Sequence, residues 1–169
     1  MTLFAVTAVG ADRPGIVAAV ANALESVNGN IEDAAMQALG GQFAISLLVN
    51  VDADAQTLRD TLERAASGLV LTVSEAQTQE RAASPTHLFT IYGADRPGLV
   101  GTAAAVLFAR GANVTNLQSR ILPADKPIYV MAFEVSLPEG TDGEAICDII
   151  RDAMPGVQAS VNTLERTQL

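Results

Sequence analysis

The stretch GADRPG, residues 10–15, recurs unchanged as residues 93–98. In both places a short apolar run precedes the hexapeptide and apolar residues at helical spacing follow it. Each copy therefore predicts the point at which a strand ends and a helix begins. The similarity continues beyond six letters, since Val17 corresponds to Val100 and Asn30-Ile31 corresponds to Asn113-Val114. The sequence thus predicts a duplicated unit.

Both halves show the same order of predicted elements. After the first helix, which we expect to end at Asn28-Gly29 in one half, with glycine as the terminating residue, and at Gly111 in the other, two apolar runs flank a turn. The turn is Gly40-Gly41 in the first half and the longer 123–127 in the second. A second helix and a last strand complete each half. This βαββαβ order predicts an α+β protein with two ferredoxin-like domains, each a four-stranded antiparallel sheet with two helices on one face.

The predicted linker between the halves is the polar segment 77–85, which lacks periodicity and ends in proline. We place the domain boundary near Ala82, which gives domains of residues 1–81 and 82–169.

Composition and charge argue against nucleic-acid-binding, disulfide-bonded and membrane proteins. The 169 residues carry a formal net charge of −9 and no basic run, so phosphate backbones would repel the chain and direct nucleic-acid binding is not expected. The only cysteine is Cys147, which excludes an intramolecular disulfide and suits a reducing compartment. The first residues lack the basic region of a signal peptide, and their apolar run is too short to cross a bilayer. We expect a cytoplasmic protein without membrane contact.

Two interpretations of the hexapeptide stay open from the residues alone. In the structural one, proline lies in the first helical turn and the carboxylate of Asp12 or Asp95 caps the helix. In the functional one, free amides of the first turn bind a carboxylate, Gly15 or Gly98 permits close approach, and the aspartate pairs with an ammonium group. That combination suits an amino acid. The side chains of Asn30 and Asn113 would add a donor or acceptor.

The other reactive residue types do not form a catalytic pattern. His87 is the single histidine, whereas zinc needs three or four clustered ligands. Cys147 lies beside the apolar stripe of a helix and is expected to pack as a small hydrophobe. No nucleophile–base pair or nucleotide-binding motif is evident. We therefore expect no enzymatic activity, no metal and no cofactor.

The run GADRPGIV at 10–17, followed by GNIED at 29–33, a glycine turn and an apolar strand, resembles the ACT domain. The resemblance implies a regulatory module that binds small ligands, often amino acids, at interfaces between ACT domains. It also implies contacts from the loop after the first strand and from the strand after the first helix. The corresponding residues are Asp12, Gly15 and Ile16 with Asn30 in the first half, and Asp95, Gly98 and Leu99 with Asn113 in the second.

The tandem arrangement resembles the glycine cleavage system transcriptional repressor family. That resemblance implies a homodimer that acts through a transcription-regulator protein rather than through DNA. Both hexapeptides are intact here, whereas the repressor's second copy tends to be degenerate, so a general tandem ACT sensor with two usable sites is one alternative. A ligand-free protein-interaction or dimerisation module is the other.

Overall fold

The computed structural model describes residues 1–77, 84–123, 125 and 127–164. The chain divides into two compact units, Met1–Gln79 and Glu80–Leu169. The expected boundary near Ala82 lies outside the described residues, so the domain limits 1–81 and 82–169 stay a prediction.

The first unit has the predicted order of elements. Its strands and helices are β1 (Thr2–Ala11), α1 (Ile16–Ser26), β2 (Asn30–Leu39), β3 (Gln42–Val51), α2 (Ala55–Ala65) and β4 (Leu69–Glu75). The strands form one sheet in the order β2-β3-β1-β4, with every neighbouring pair antiparallel.

The second unit repeats this arrangement. Its elements are β5 (His87–Ala94), α3 (Leu99–Ala109), β6 (Asn113–Leu122), β7 (Ile128–Ser136), α4 (Gly143–Ala153) and β8 (Gln158–Thr163). The sheet order is β6-β7-β5-β8, again antiparallel throughout. The predicted α+β class with two ferredoxin-like βαββαβ units is therefore confirmed.

Each unit has its own aliphatic and phenylalanine core between its helices and one face of its sheet. In the first unit Leu24 and Leu62 of the helices are buried together with Phe4 and Val49 of the sheet. In the second, Leu107 and Ile150 take part in the equivalent cluster. Alternate strand residues turn away from this core, which leaves the second face of each sheet uncovered by the unit's helices.

The strands β2 and β6 form exposed edges. Every residue of both strands is solvent-exposed, including apolar residues on the helix-bearing side such as Met36 and Leu117. Each strand pairs with a neighbour on one side only. Such long edges present unpaired N–H and C=O groups to any strand that approaches.

The first helix of each unit ends in the same hydrogen-bond pattern, with one difference from the sequence prediction. Gly111 has φ +73° and ends α3 as expected. In the first unit the left-handed residue is Asn28, at φ +52°, rather than Gly29. The amide of Gly29 instead donates to the carbonyl of Leu24 at 2.8 Å, and a Cβ on Gly29 would lie 3.0 Å from that oxygen. Asparagine tolerates the left-handed conformation better than most other residues do. Asn28 can therefore take the place that Gly111 has in the second unit, and the same turn ends both helices.

Candidate functional site

The hexapeptide spans the last two residues of the first strand and the loop that leads to the first helix of each unit. Its first glycine lies where the backbone passes close to the turn before the last strand. A Cβ on Gly10 would lie 2.8 Å from the carbonyl oxygen of Gly68, and one on Gly93 would lie 2.9 Å from Cγ2 of Val157. Any side chain at these positions would displace the turn, which explains the glycine.

The last glycine of the hexapeptide is the N-cap of the helix. Gly15 and Gly98 have φ +89° and +93°, a conformation that L-residues with side chains rarely adopt. Pro14 and Pro97 precede the cap and lie outside the helix. No side chain caps either helix, so the structural interpretation with aspartate as the cap and proline in the first turn is wrong.

The arginine of each hexapeptide anchors the loop on one side. Arg13 donates from Nη2 to the carbonyl of Ser67 at 2.9 Å, and Arg96 donates from Nη2 to the carbonyl of Pro155 at 3.2 Å. Both carbonyls lie in the turn that follows the second helix of the unit. The duplicated contact fixes the loop against that turn.

The backbone of the aspartate anchors the loop on the other side. The amide of Asp12 donates to the carbonyl of Gly41 at 2.9 Å, and the amide of Asp95 donates to the carbonyl of Pro127 at 3.2 Å. Both acceptors belong to the hairpin turn between the second and third strands. The side chains of Asp12 and Asp95 are left exposed to solvent.

The first-turn amides of α1 and α3 are available to a ligand. The first intrahelical bonds run from Ala19 to Gly15 and from Thr102 to Gly98, both at 2.9 Å. The amides of residues 16–18 and 99–101 therefore precede the ladder and have no capping side chain. A helix end of this kind attracts an anion, and an exposed carboxylate lies in the same loop. The arrangement can hold opposite charges side by side.

The predicted contributions of Ile16 and Leu99 are limited to their backbone. Both side chains are buried in the cores of their units, with exposures of 2% and 3%. Their amides, at the first position of each helix, precede the hydrogen-bond ladder beside the loop.

Asn30 and Asn113 lie at the other end of their sheets from the loops. Asn30 pairs with Asn50, which pairs with Leu3, whereas the loop follows Gly10. Seven residues of strand separate these levels, about 23 Å at 3.3 Å per residue. Asn113 has the equivalent position beside Ser136. Each unit alone brings together the aspartate, the glycine and the first helical residue, but not the asparagine.

An open cavity of about 450 Å³ adjoins the second loop. Asp95, Gly98 and Gly101 line it together with Tyr129, which the sequence analysis missed. Tyr129 is paired in register with Gly93, and its hydroxyl donates to Oγ of Ser119 at 2.7 Å. The alignment of the halves could have found it, because Tyr129 begins the run that corresponds to the one beginning at Phe43.

The remaining reactive groups are accounted for by packing. Cys147 is fully buried, and this burial, assisted by Glu144, raises the pKa of its thiol to about 11. Nδ1 of His87 lies 2.8 Å from the hydroxyl of Thr86.

Across the described residues, no three histidine, cysteine, aspartate or glutamate side chains are grouped so as to hold a metal ion. In the same part of the chain, no helix has the length and apolar character needed to cross a membrane.

Comparison with known families and proteins identifies similar sequences. Residues 2–75 match the model of the ACT domain. The glycine cleavage system transcriptional repressor of Escherichia coli K12 is 32% identical over 124 residues, which cover 71% of this chain and 65% of the repressor. The chain thus spans slightly less than two thirds of that relative's length.

Two further relatives extend the comparison. A UPF0237 protein of Methanopyrus kandleri is 42% identical over 72 residues, which cover 41% of this chain and 80% of that protein. The crystal structure of an unknown protein from Galdieria sulphuraria superimposes with a TM-score of 0.82 at 28% identity, over 97% of this chain and 99% of that one. The βαββαβ repeat is thus shared along nearly the whole chain.

Proposed function

We propose that the chain is a tandem ACT-domain protein, a non-enzymatic regulator similar to the glycine cleavage repressor, and that it binds an amino acid at its hexapeptide loops. The observation that carries the proposal is the uncapped helix end of each loop beside an exposed aspartate. Similarity to the ACT domain does not by itself name a ligand. The loop supplies donors for one charge and an acceptor for the other.

The proposed binding mode uses both charged groups of the amino acid. Its carboxylate accepts hydrogen bonds from the free amides of residues 16–18 or 99–101 and is stabilised by the helix dipole. Its ammonium group pairs with Asp12 or Asp95. The arginine contacts to Ser67 and Pro155 hold each loop in place before the ligand arrives, which lowers the entropy cost of binding.

We propose that a second copy of the chain completes each site in a homodimer. The supporting observation is that Asn30 and Asn113 lie about 23 Å from their own loops, at the other end of an exposed edge strand. If two such edges pair antiparallel, the start of one strand lies opposite the end of the other. The asparagine of one copy then approaches the loop of its partner, and both edges are covered.

We propose that the protein works in the cytoplasm through a transcription-regulator protein. Support comes from the repressor relative and from the net charge of −9, which opposes contact with DNA. Ligand binding would change the surface offered to that partner.

A thermal-shift screen with the twenty amino acids tests the proposal. A ligand at 100 times its dissociation constant stabilises the native state by about 2.7 kcal/mol, so the melting temperature should rise by several degrees. Gly15→Ala combined with Gly98→Ala should abolish the rise, because alanine at φ near +90° shifts the loop backbone.

Gly140→Ala is the matched control for that experiment. Gly140 also has positive φ with open space at its Cβ position, but it lies in the turn between β7 and α4, away from both loops. It should cost similar stability and preserve the shift. If no amino acid raises the melting temperature, the proposal fails and the ligand-free dimerisation module is favoured. The exposed edge strands β2 and β6 support that alternative.

A further inference from the structure

We infer that the edge strand β2 of one copy pairs antiparallel with the edge strand β6 of a second copy, and that neither edge pairs with its own counterpart. This pairing rests on the homodimer proposed above and specifies which edges meet in it. Both strands are exposed along their whole length and have a neighbour on one side only. Their regular segments, their side-chain sizes and their charges fit each other.

The two edges offer regular segments of equal length. Each strand has a bulge near its start, at Glu32 in β2 and at Thr115 in β6, where the register with the neighbouring strand shifts. From there the segments 33–39 and 116–122 keep an unbroken register to the ends of the strands. Because a bulge disrupts pairing, these segments are the parts that can form a continuous ladder with another strand. Matching them antiparallel, end to end, defines one register.

In that register, side-chain sizes on the helix-bearing sides are complementary. Each pair there joins a small residue with a large one: Ala34 with Ile121, Met36 with Ser119, and Ala38 with Leu117. All six lie on that side because their partners within the unit, such as Leu47 and Phe133, belong to the cores. Centred pairing of β2 with itself would oppose Met36 to Met36, and that of β6 with itself would oppose Leu117 to Ile121. Alternation of large and small residues lets the mixed pair interdigitate and removes apolar surface from water.

The charges of the two edges are opposite and lie at matching ends. Near its start β2 carries the carboxylates of Glu32 and Asp33, whereas near its end β6 carries Arg120 and no carboxylate. Asp33 and Arg120 project from the uncovered face, because their partners in the sheet alternate with core residues. The register places Arg120 opposite Ala35 and diagonal to Asp33, a separation that a long side chain spans. Among the described residues, neither has an ion-pair partner in its own chain.

Cysteine cross-linking distinguishes the mixed pairing from the like-with-like alternatives. Met36→Cys and Ser119→Cys are made in separate full-length chains, one of them tagged, which are mixed in dilute solution, concentrated and oxidised with diamide. Facing residues of antiparallel strands have Cα atoms about 4.5–5.5 Å apart, within reach of a disulfide. The mixed disulfide should be the main product on a non-reducing gel. Cys147 is buried and does not compete.

Val70→Cys is the matched control for this experiment. Val70 is 77% exposed, but it lies on the opposite edge strand of the first sheet, β4. Mixed with the Ser119→Cys chain, it should give only the background of random collision. The Met36→Cys chain and the Ser119→Cys chain, each oxidised alone, report pairing of β2 with β2 and of β6 with β6.

A charge-reversal cycle tests the ion pair. Asp33→Arg and Arg120→Asp should each weaken association about fivefold per contact, because each places like charges across the pair, and the double variant should recover it. Glu63→Arg, on α2, changes the net charge by the same amount as Asp33→Arg and should leave association unchanged. Sedimentation velocity over a concentration series measures each dissociation constant.

The outcomes separate this pairing from the proposed homodimer. Self-linking of either single-cysteine chain as the main product, dimers that give no cross-link, or no recovery in the double charge-reversed variant would overturn the mixed pairing while the homodimer stands. A wild-type chain that sediments as a monomer at every concentration would remove both. Neither result touches amino-acid binding, which the thermal-shift screen tests by itself.

Discussion

At the scale of single residues, the hexapeptide has a structural reason at nearly every position. Gly10 permits the close passage of the turn at Gly68, Arg13 bonds to Ser67 and Gly15 takes the left-handed cap. The second copy repeats all three features. What the fold leaves unused is the aspartate carboxylate and the helix amides. The groups that stability does not require are therefore the ones assigned to the ligand.

Arg13→Ala tests the anchoring role of the arginine. Loss of the hydrogen bond to the carbonyl of Ser67 should lower the free energy of unfolding by about 1 kcal/mol, measured by urea denaturation. The control is Arg110→Ala, at the C-cap of α3, for which no side-chain hydrogen bond is found among the described residues. An equal loss in both variants would assign the effect to the general removal of an arginine and not to the loop.

The buried thiol of Cys147 gives a pH-dependent prediction. Its pKa of about 11 in the folded chain lies above the ordinary value of 9.0, so its contribution to stability is present below pH 9 and is lost as the pH rises toward 11. Wild type should therefore lose more stability than Cys147→Ala between pH 8 and pH 10.5 in urea denaturation. Parallel losses in the two proteins would contradict the buried, neutral thiol.

At the scale of elements, the helices divide into two kinds. Asp54 and Asp142 cap α2 and α4, and the bond from the Thr57 amide lowers the pKa of Asp54. The helices α1 and α3 begin with glycine and no side-chain cap. All four helices contribute to the cores, but only α2 and α4 among them have first-turn amides that a capping side chain occupies.

Asp142→Ala measures the value of a capped helix. Its carboxylate accepts from the amides of Glu144 at 2.9 Å and Ala145 at 3.3 Å, and its loss should cost about 1 kcal/mol of stability. Asp152→Ala, near the end of the same helix, is the control and should cost nothing, since a negative charge there opposes the dipole. Equal costs would mean that the cap does not stabilise α4.

The exposed edges give a prediction about assembly. Met36→Lys combined with Leu117→Lys places a charge on β2 and on β6 and should convert a dimer of 17.5 kDa chains into monomers in sedimentation experiments. Val70→Lys is the control, because Val70 is 77% exposed on the other edge strand, β4. Monomers in the wild type, or dissociation by the control alone, would contradict pairing through β2 and β6.

At the scale of the whole molecule, periodicity and turn residues were sufficient to predict the fold. Both units follow the spacing of their apolar residues, because strands of period two and helices of period 3.6 must bury those residues against one another. The duplicated hexapeptide aligned the units and located both candidate loops.

The geometry of the site was less accessible to sequence. Spacing along the chain could not show that Asn30 lies at the far end of the sheet, since that follows from its register with Asn50. One of the two open interpretations made Asp12 and Asp95 the caps, because aspartate before a helix favours capping. In the structure Gly15 and Gly98 are the N-caps, and no side chain caps either helix. Tyr129 was missed because its position beside the second loop follows from its register with Gly93 across the sheet.

The most direct test of amino-acid binding is a ¹H–¹⁵N correlation spectrum of the full chain, recorded as the most stabilising amino acid of the thermal screen is added. We predict shifts at the amides of Val17, Ala18, Val100 and Gly101. The first-turn amides of α2 and α4 should not move, because Asp54 and Asp142 already occupy those helix ends. Unchanged loop amides, or shifts confined to other surfaces, would contradict binding at the hexapeptide loops.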